Sequence, residues 1–159
     1  MRKKVVFSAY AMITPVLALA FLLFLLCVQI GKDNSWTIWV LLAVICFFCF
    51  MALLYAPMYI SLSDKELSIH KSLKIKDIPL SEISSVNLCP PTMSERRLCG
   101  SGGFFGYWGW FSEPSIGRYF AYYGKASDCF LVILKNGKKY MLGCKDAPEM
   151  VAAIQEKLI

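Results

Sequence analysis

Two long stretches of the chain carry no charged side chain, Val5 to Ile30 and Trp36 to Ile60. At about 25 residues each, either one as a helix crosses the roughly 30 Å of hydrocarbon in a bilayer with some tilt to spare. Only the polar residues Gly31 to Ser35 separate them, and so short a turn predicts an antiparallel hairpin of two membrane spans. A cleaved secretory signal has a shorter apolar core and is not followed at once by a second span. A lipoprotein site at Cys27 would need a small residue where Leu26 stands. Both helices are therefore expected to be retained, as a hairpin over residues 1–60 with spans at about 5–30 and 36–60.

From Ser61 the pattern changes to alternation with period two, the signature of half-buried strands. The segment 58–63 reads as a strand leaving the membrane, and 67–71 returns with Leu67 and Ile69 on one face. Residues 73–78 alternate again. Leu80, Ile83 and Val86 then recur three apart, which predicts one short helical turn leading into another strand. Two apolar runs flank Asn136-Gly137, the pair that a type I′ hairpin turn favours. The last segment opens with Asp146 and Glu149 in capping-box spacing. Behind them Ala147, Met150, Val151, Ile154 and Leu158 form one apolar stripe. A helix this short is not stable alone, so its stripe must cover something. An α+β soluble domain over 61–159, built as an antiparallel β-barrel with this helix over its open end, satisfies the pattern.

One insert, residues 90–118, fits neither period. Six of the ten glycines lie between Gly100 and Gly117, and ten of the 23 aromatics between Phe104 and Tyr123. Three readings stay open. The rings of Phe104, Phe105, Tyr107, Trp108, Trp110 and Phe111 pack on the domain wall around tight glycine corners. Alternatively, Phe104, Phe105, Trp108 and Trp110 dip into the bilayer interface. Or the insert is an exposed recognition loop, in which the amides around Gly100, Gly102 and Gly103 form an anion nest and Arg96 and Arg97 supply charge. The glycine run is no nucleotide loop, because it lacks the lysine of a P-loop and the strand–helix setting of a dinucleotide fingerprint.

The order of these elements resembles the bacterial pleckstrin-homology-like (PH-like) domains. The residues that carry the likeness are the turn at 77–86, the Asn136-Gly137 hairpin and the closing helix from Asp146 to Leu158. The insert is similar to one in short membrane-anchored members of unknown function. The resemblance covers residues 58–159 and implies a fold rather than an activity.

Charge sets the orientation. Arg2, Lys3 and Lys4 precede the first span, the turn nets zero, and the part after the second span nets +3. The positive-inside bias puts both termini on the cytoplasmic side of an inner membrane. Trp36 and Trp39 would mark the outer boundary, Tyr55 and Tyr59 the inner one. Lys65, Lys71, Lys74 and Lys76 follow close behind the membrane exit and are candidate contacts to anionic lipid headgroups. A net +3 on a tethered domain argues against nucleic acid.

Candidate chemistry is sparse. His70 is the sole histidine, with no cysteine or carboxylate at metal-ligand spacing, so neither metal nor cofactor is expected. Cys46 and Cys49 make the one CxxC, near mid-bilayer and without relay cysteines, where helix packing is the simpler role. The expectation is a non-catalytic module with no small-molecule substrate. Its surface would hold a protein partner or a second copy at the bilayer. Anionic-lipid sensing is the alternative, and a membrane thiol-redox enzyme is the remote one.

Overall fold

Alternating apolar residues build two sheets that face each other across one core. The computed structural model describes residues 1–30 and 35–158; of the turn expected at 31–35, residues 31–34 lie outside the described residues and Ser35 opens the second helix. The first sheet has strand order β1-β2-β3-β4, from β1 (Arg2–Lys4), β2 (Pro57–Leu62), β3 (Glu66–Lys71) and β4 (Ile75–Pro79). A 3-10 turn at Leu80–Glu82, in the place the three-residue spacing predicts, carries the chain into the second sheet. That sheet comprises β5 (Ile83–Leu88), β6 (Arg96–Gly102), β7 (Tyr107–Glu113), β8 (Gly117–Tyr123), β9 (Cys129–Leu134) and β10 (Lys139–Gly143). Its order is β5-β9-β10-β8-β7-β6.

The fold class is two N-terminal helices followed by a PH-like sheet domain with a C-terminal helix, but the sheets do not close into a barrel. Nor is the pairing wholly antiparallel, since β8 and β10 run parallel. The link from β8 to β9 steps past one strand position, and β10 folds back into the gap. The insert then extends this sheet outward through β7 to β6 instead of returning to the first sheet.

Ile60, Leu67, Ile69, Phe130, Val132 and Leu142 are fully buried between the sheets. Helix α3 (Ala147–Leu158; the two helices before it are α1 and α2) lays Met150, Val151 and Ile154 onto the same core. Its Gln155 donates to the Val86 carbonyl at 2.7 Å. The capping box does not form as expected: Asp146 has φ 56°, and both carboxylates bond Lys3, at 3.2 Å for Asp146 and 2.6 Å for Glu149. The second sheet also carries apolar residues on its other face, with Phe111, Tyr119, Tyr123 and Met141 buried there. Hence β9 reads as a continuous apolar run rather than an alternating one.

The turn after β9 also differs from expectation. Gly137 has φ 80° whereas Asn136 stays in the ordinary region. Gly137 N–H donates to Leu134 O at 2.9 Å and Leu134 N–H to Lys138 O at 2.8 Å. This is the three-residue loop with glycine at the left-handed position, not the two-residue type I′ turn.

The hydrophobic runs are shorter as helices than as sequence. Helix α1 spans Ala9–Ile30, starting where Ser8 Oγ accepts from Ala11 N–H at 3.2 Å as an N-cap. Helix α2 spans Ser35–Tyr55 and stops before Pro57, which has no N–H to extend it and opens β2 instead. Both are long and apolar enough to cross a membrane, and their side chains are mostly exposed.

The three charged residues expected only to flank the first span are strand β1. Arg2, Lys3 and Lys4 pair antiparallel with Ser61, Ile60 and Tyr59. Backbone bonds continue on both sides: Val5 N–H to Met58 O at 2.9 Å, Lys145 N–H to Lys4 O at 2.8 Å, and Ser8 N–H to Gly124 O at 2.9 Å. The Arg2 guanidinium lies 3.4 Å from the centre of the Tyr59 ring. The domain therefore reaches back through residues 1–8, and both helices leave it side by side.

Truncating Ile154 to alanine should lower the unfolding free energy of the full chain by about 2–4 kcal/mol, because it empties a fully buried site. Lys157→Ala removes only an ion pair to the exposed Asp64 and should leave the denaturation midpoint where it was.

Candidate functional site

The insert is not a loop. It is the hairpin β6–β7, with Gly103, Phe104, Phe105 and Gly106 at its tip. Glycine is required where the two strands nearly touch: Gly100 and Gly109 face each other with φ 118° and 123°. A Cβ on Gly109 would sit 2.3 Å from the Cys99 carbonyl oxygen. Of the glycines whose amides could form an anion nest, Gly100 and Gly102 stand opposite Gly109 and Tyr107 in the β6–β7 register. Gly103 N–H bonds Gly106 O at 3.2 Å, and Phe104 N–H bonds Ser101 Oγ at 2.8 Å.

The rings divide by direction. Trp108 and Phe111 are buried, on opposite sides of the second sheet. Trp108 stacks on Tyr55 at the end of α2 with centroids 5.0 Å apart, and its Nε1–H donates to Phe104 O. Tyr107 stacks on Tyr123 at 4.7 Å. Phe104 meets Phe48 of α2 at 5.5 Å, and Phe105 lies edge-on to Phe104. Trp110 is 48% exposed, with Arg96 and Arg97 exposed on the neighbouring β6, and Arg97 folds over Gly102. The candidate surface is thus split between a packed part, a part set against the helices and an open outer edge.

Three of the four candidate lysines converge. Lys71, Lys74 and Lys76 line one 580 Å³ hollow with Tyr55, Phe120 and Tyr122, at the level where α2 ends. Lys71 Nζ stands 5.4 Å from the Tyr55 ring centre and 5.2 Å from that of Tyr122. Lys76 Nζ lies 5.1 Å from the Tyr140 ring centre. Burial, followed by repulsion from Lys74 and Lys76, holds Lys71 below the ordinary lysine value. Among the described residues no carboxylate is ion-paired with any of the three, although Asp77 is on the rim. Lys65 is elsewhere, in the turn before β3, about 20 Å along that strand from Lys71.

Two clusters escape sequence reasoning. Ser61 Oγ is 2.8 Å from His70 Nε2, across the β2–β3 pair, with His70 stacked on Tyr59 at 4.1 Å. A working Ser–His pair needs an orienting acid, and among the described residues no carboxylate bonds this imidazole. On the far face of the second sheet Glu95 accepts from Tyr119 and Tyr123, both raised above the ordinary phenol value chiefly by burial. Nearby Glu113 is 2% exposed, with Oε1 bonded to Thr92 Oγ1 at 2.6 Å and Oε2 unpartnered. Burial also raises the Cys89 and Cys129 thiols, and pushes Cys144 up to about 12, so these sulfurs stay protonated at neutral pH.

Residues 58–158 match the bacterial PH domain family. The match covers most of the chain and agrees with the two-sheet, one-helix architecture, so the chain belongs to that family. No curated protein and no solved structure matches it. The matched region begins at Met58 and omits strand β1, which the structure adds to the same sheet.

Replacing Gly109 by alanine should force β6 away from β7 and expose the tip to limited proteolysis. Gly137→Ala, with open space around it, should cost only roughly 1–2 kcal/mol for its left-handed backbone and leave the proteolysis pattern unchanged.

Proposed function

We propose that this protein is a membrane-anchored PH-domain interaction module whose hollow beside α2 holds an anionic phospholipid headgroup on the cytoplasmic face. Bacterial PH domains are interaction modules and in general non-catalytic, which leaves the occupant as the question. The observation that carries the reading is the convergence of Lys71, Lys74 and Lys76 on one aromatic-walled hollow. Clustered lysines without ion-paired carboxylates raise one another's charging cost, and a bound phosphate offsets that repulsion. The site also lies where a headgroup lies, next to the last turn of a helix long enough to span the bilayer. Tyr55 and Tyr122 fit this level, because phenol rings favour the membrane–water interface.

A second reading, self-association, is favoured by the edge of the second sheet. Among the described residues strand β6 pairs only with β7, and it carries the exposed Leu98, 52% accessible, with Arg96 and Arg97. An unpaired edge of this kind accepts a strand from a second copy.

With the full chain in nanodiscs that contain phosphatidylcholine and phosphatidylglycerol, native mass spectrometry should find phosphatidylglycerol retained. The triple change Lys71→Gln, Lys74→Gln, Lys76→Gln should weaken that retention roughly 100-fold, from about 1 kcal/mol per lysine. Lys65→Gln should not. Equal retention by the triple variant overturns the headgroup reading, and a dimer mass abolished by Leu98→Lys supports the second.

A further inference from the structure

The tip of the β6–β7 hairpin stands at a height that headgroup binding does not require. Phe104 touches Phe48, which precedes the end of α2 by seven residues, about 10 Å along the axis at 1.5 Å per residue. Phe105 shares a 320 Å³ hollow with Leu19 of α1 and with Cys49 and Leu53 of α2. On the other side, Phe104 lines a 340 Å³ hollow with Phe47, Phe48 and Met51. Gly103 and Gly106 let the tip close against α1 and the segment before it, where a Cβ would meet the Tyr10 and Phe7 rings at 2.5 and 3.0 Å.

We infer that this hairpin tip is a third membrane-inserted element, reaching past the headgroups so that Phe104 and Phe105 contact lipid acyl chains beside the two spans. Irregular backbone in hydrocarbon needs internal partners for its polar groups, and at this tip the Gly103 and Phe104 N–H groups and the Phe104 and Gly106 carbonyls have them. Ser101 Oγ accepts from Phe104 N–H and lies 3.2 and 3.3 Å from the Phe104 and Gly106 carbonyl oxygens. Gly103 N–H bonds Gly106 O, and Trp108 Nε1–H bonds Phe104 O. Residues 103 to 106 carry no charge. The 320 Å³ hollow has no charged residue in its lining and is of a size that an acyl chain fills, whereas Arg97 shares the 340 Å³ hollow and lays its stem over Gly102. Trp108 then stands at the interface, stacked on Tyr55.

This inference rests on the reading of α1 and α2 as membrane spans, and one experiment separates the two. The full chain is reconstituted in phosphatidylcholine vesicles doped with a phosphatidylcholine that carries a photoactivatable diazirine in its acyl chain. Adducts are then mapped by mass spectrometry. The expected result is adducts on α1, on α2 and on Phe104–Phe105, and their loss at Ile116, in the turn at the opposite end of β7. Adducts on the helices without any on the tip overturn the insertion and leave the spans standing. Adducts on neither overturn both.

Discussion

The architecture depends on one backbone pairing, that of Arg2–Lys4 with Tyr59–Ser61. It returns the chain's first residues to the sheet that forms after two long apolar helices, so the hairpin is closed at its base by hydrogen bonds rather than left hanging from a linker. The Met1 amine and carbonyl both bond Leu62, and Lys4 reaches across to Lys145 beside the start of α3. With the base fixed in this way, the domain cannot rotate freely about its anchor. Tyr55, Phe48 and the hairpin tip consequently meet in a defined register.

That fixed register gives the aromatic insert its meaning. Glycine at 100 and 109 lets two strands approach more closely than any other residue pair allows, and the narrow hairpin they form presents its tip along the helix pair. The same strand, β7, aims alternate rings to opposite sides: Trp108 towards α2 and the common core, Phe111 into the second cluster. Packing on the domain and contact with the helix pair are therefore two faces of one element. The lysine hollow sits beside this contact, on the β3–β4 side of α2.

Much of the fold was legible because it is local. Strands β3 and β9, the turn at Leu80–Glu82 and the apolar stripe of α3 each follow from periodicity within a dozen residues. What escaped is non-local. Three consecutive charges have no strand pattern, and only a partner more than fifty residues away makes them β1. The parallel β8–β10 pair and the outward growth of the sheet through β7 and β6 depend on which strand fills a gap, which spacing does not encode. The lysines were visible as a run, but the β3–β4 hairpin decides that Lys71, Lys74 and Lys76 meet around its turn while Lys65 stands at the far end of β3. Glu95 and Glu113 gave no signal, since their tyrosine and threonine partners are brought to them by the sheet and by the segment before β6.

Amide hydrogen exchange of the full chain in nanodiscs tests the central pairing most directly, because it reads the backbone bonds of residues 2–8 without altering a side chain. If β1 closes the hairpin, the Val5 and Ser8 amides exchange as slowly as those in the middle of β3. Exchange at the rate of an unstructured tail, with β3 still protected, would contradict the account.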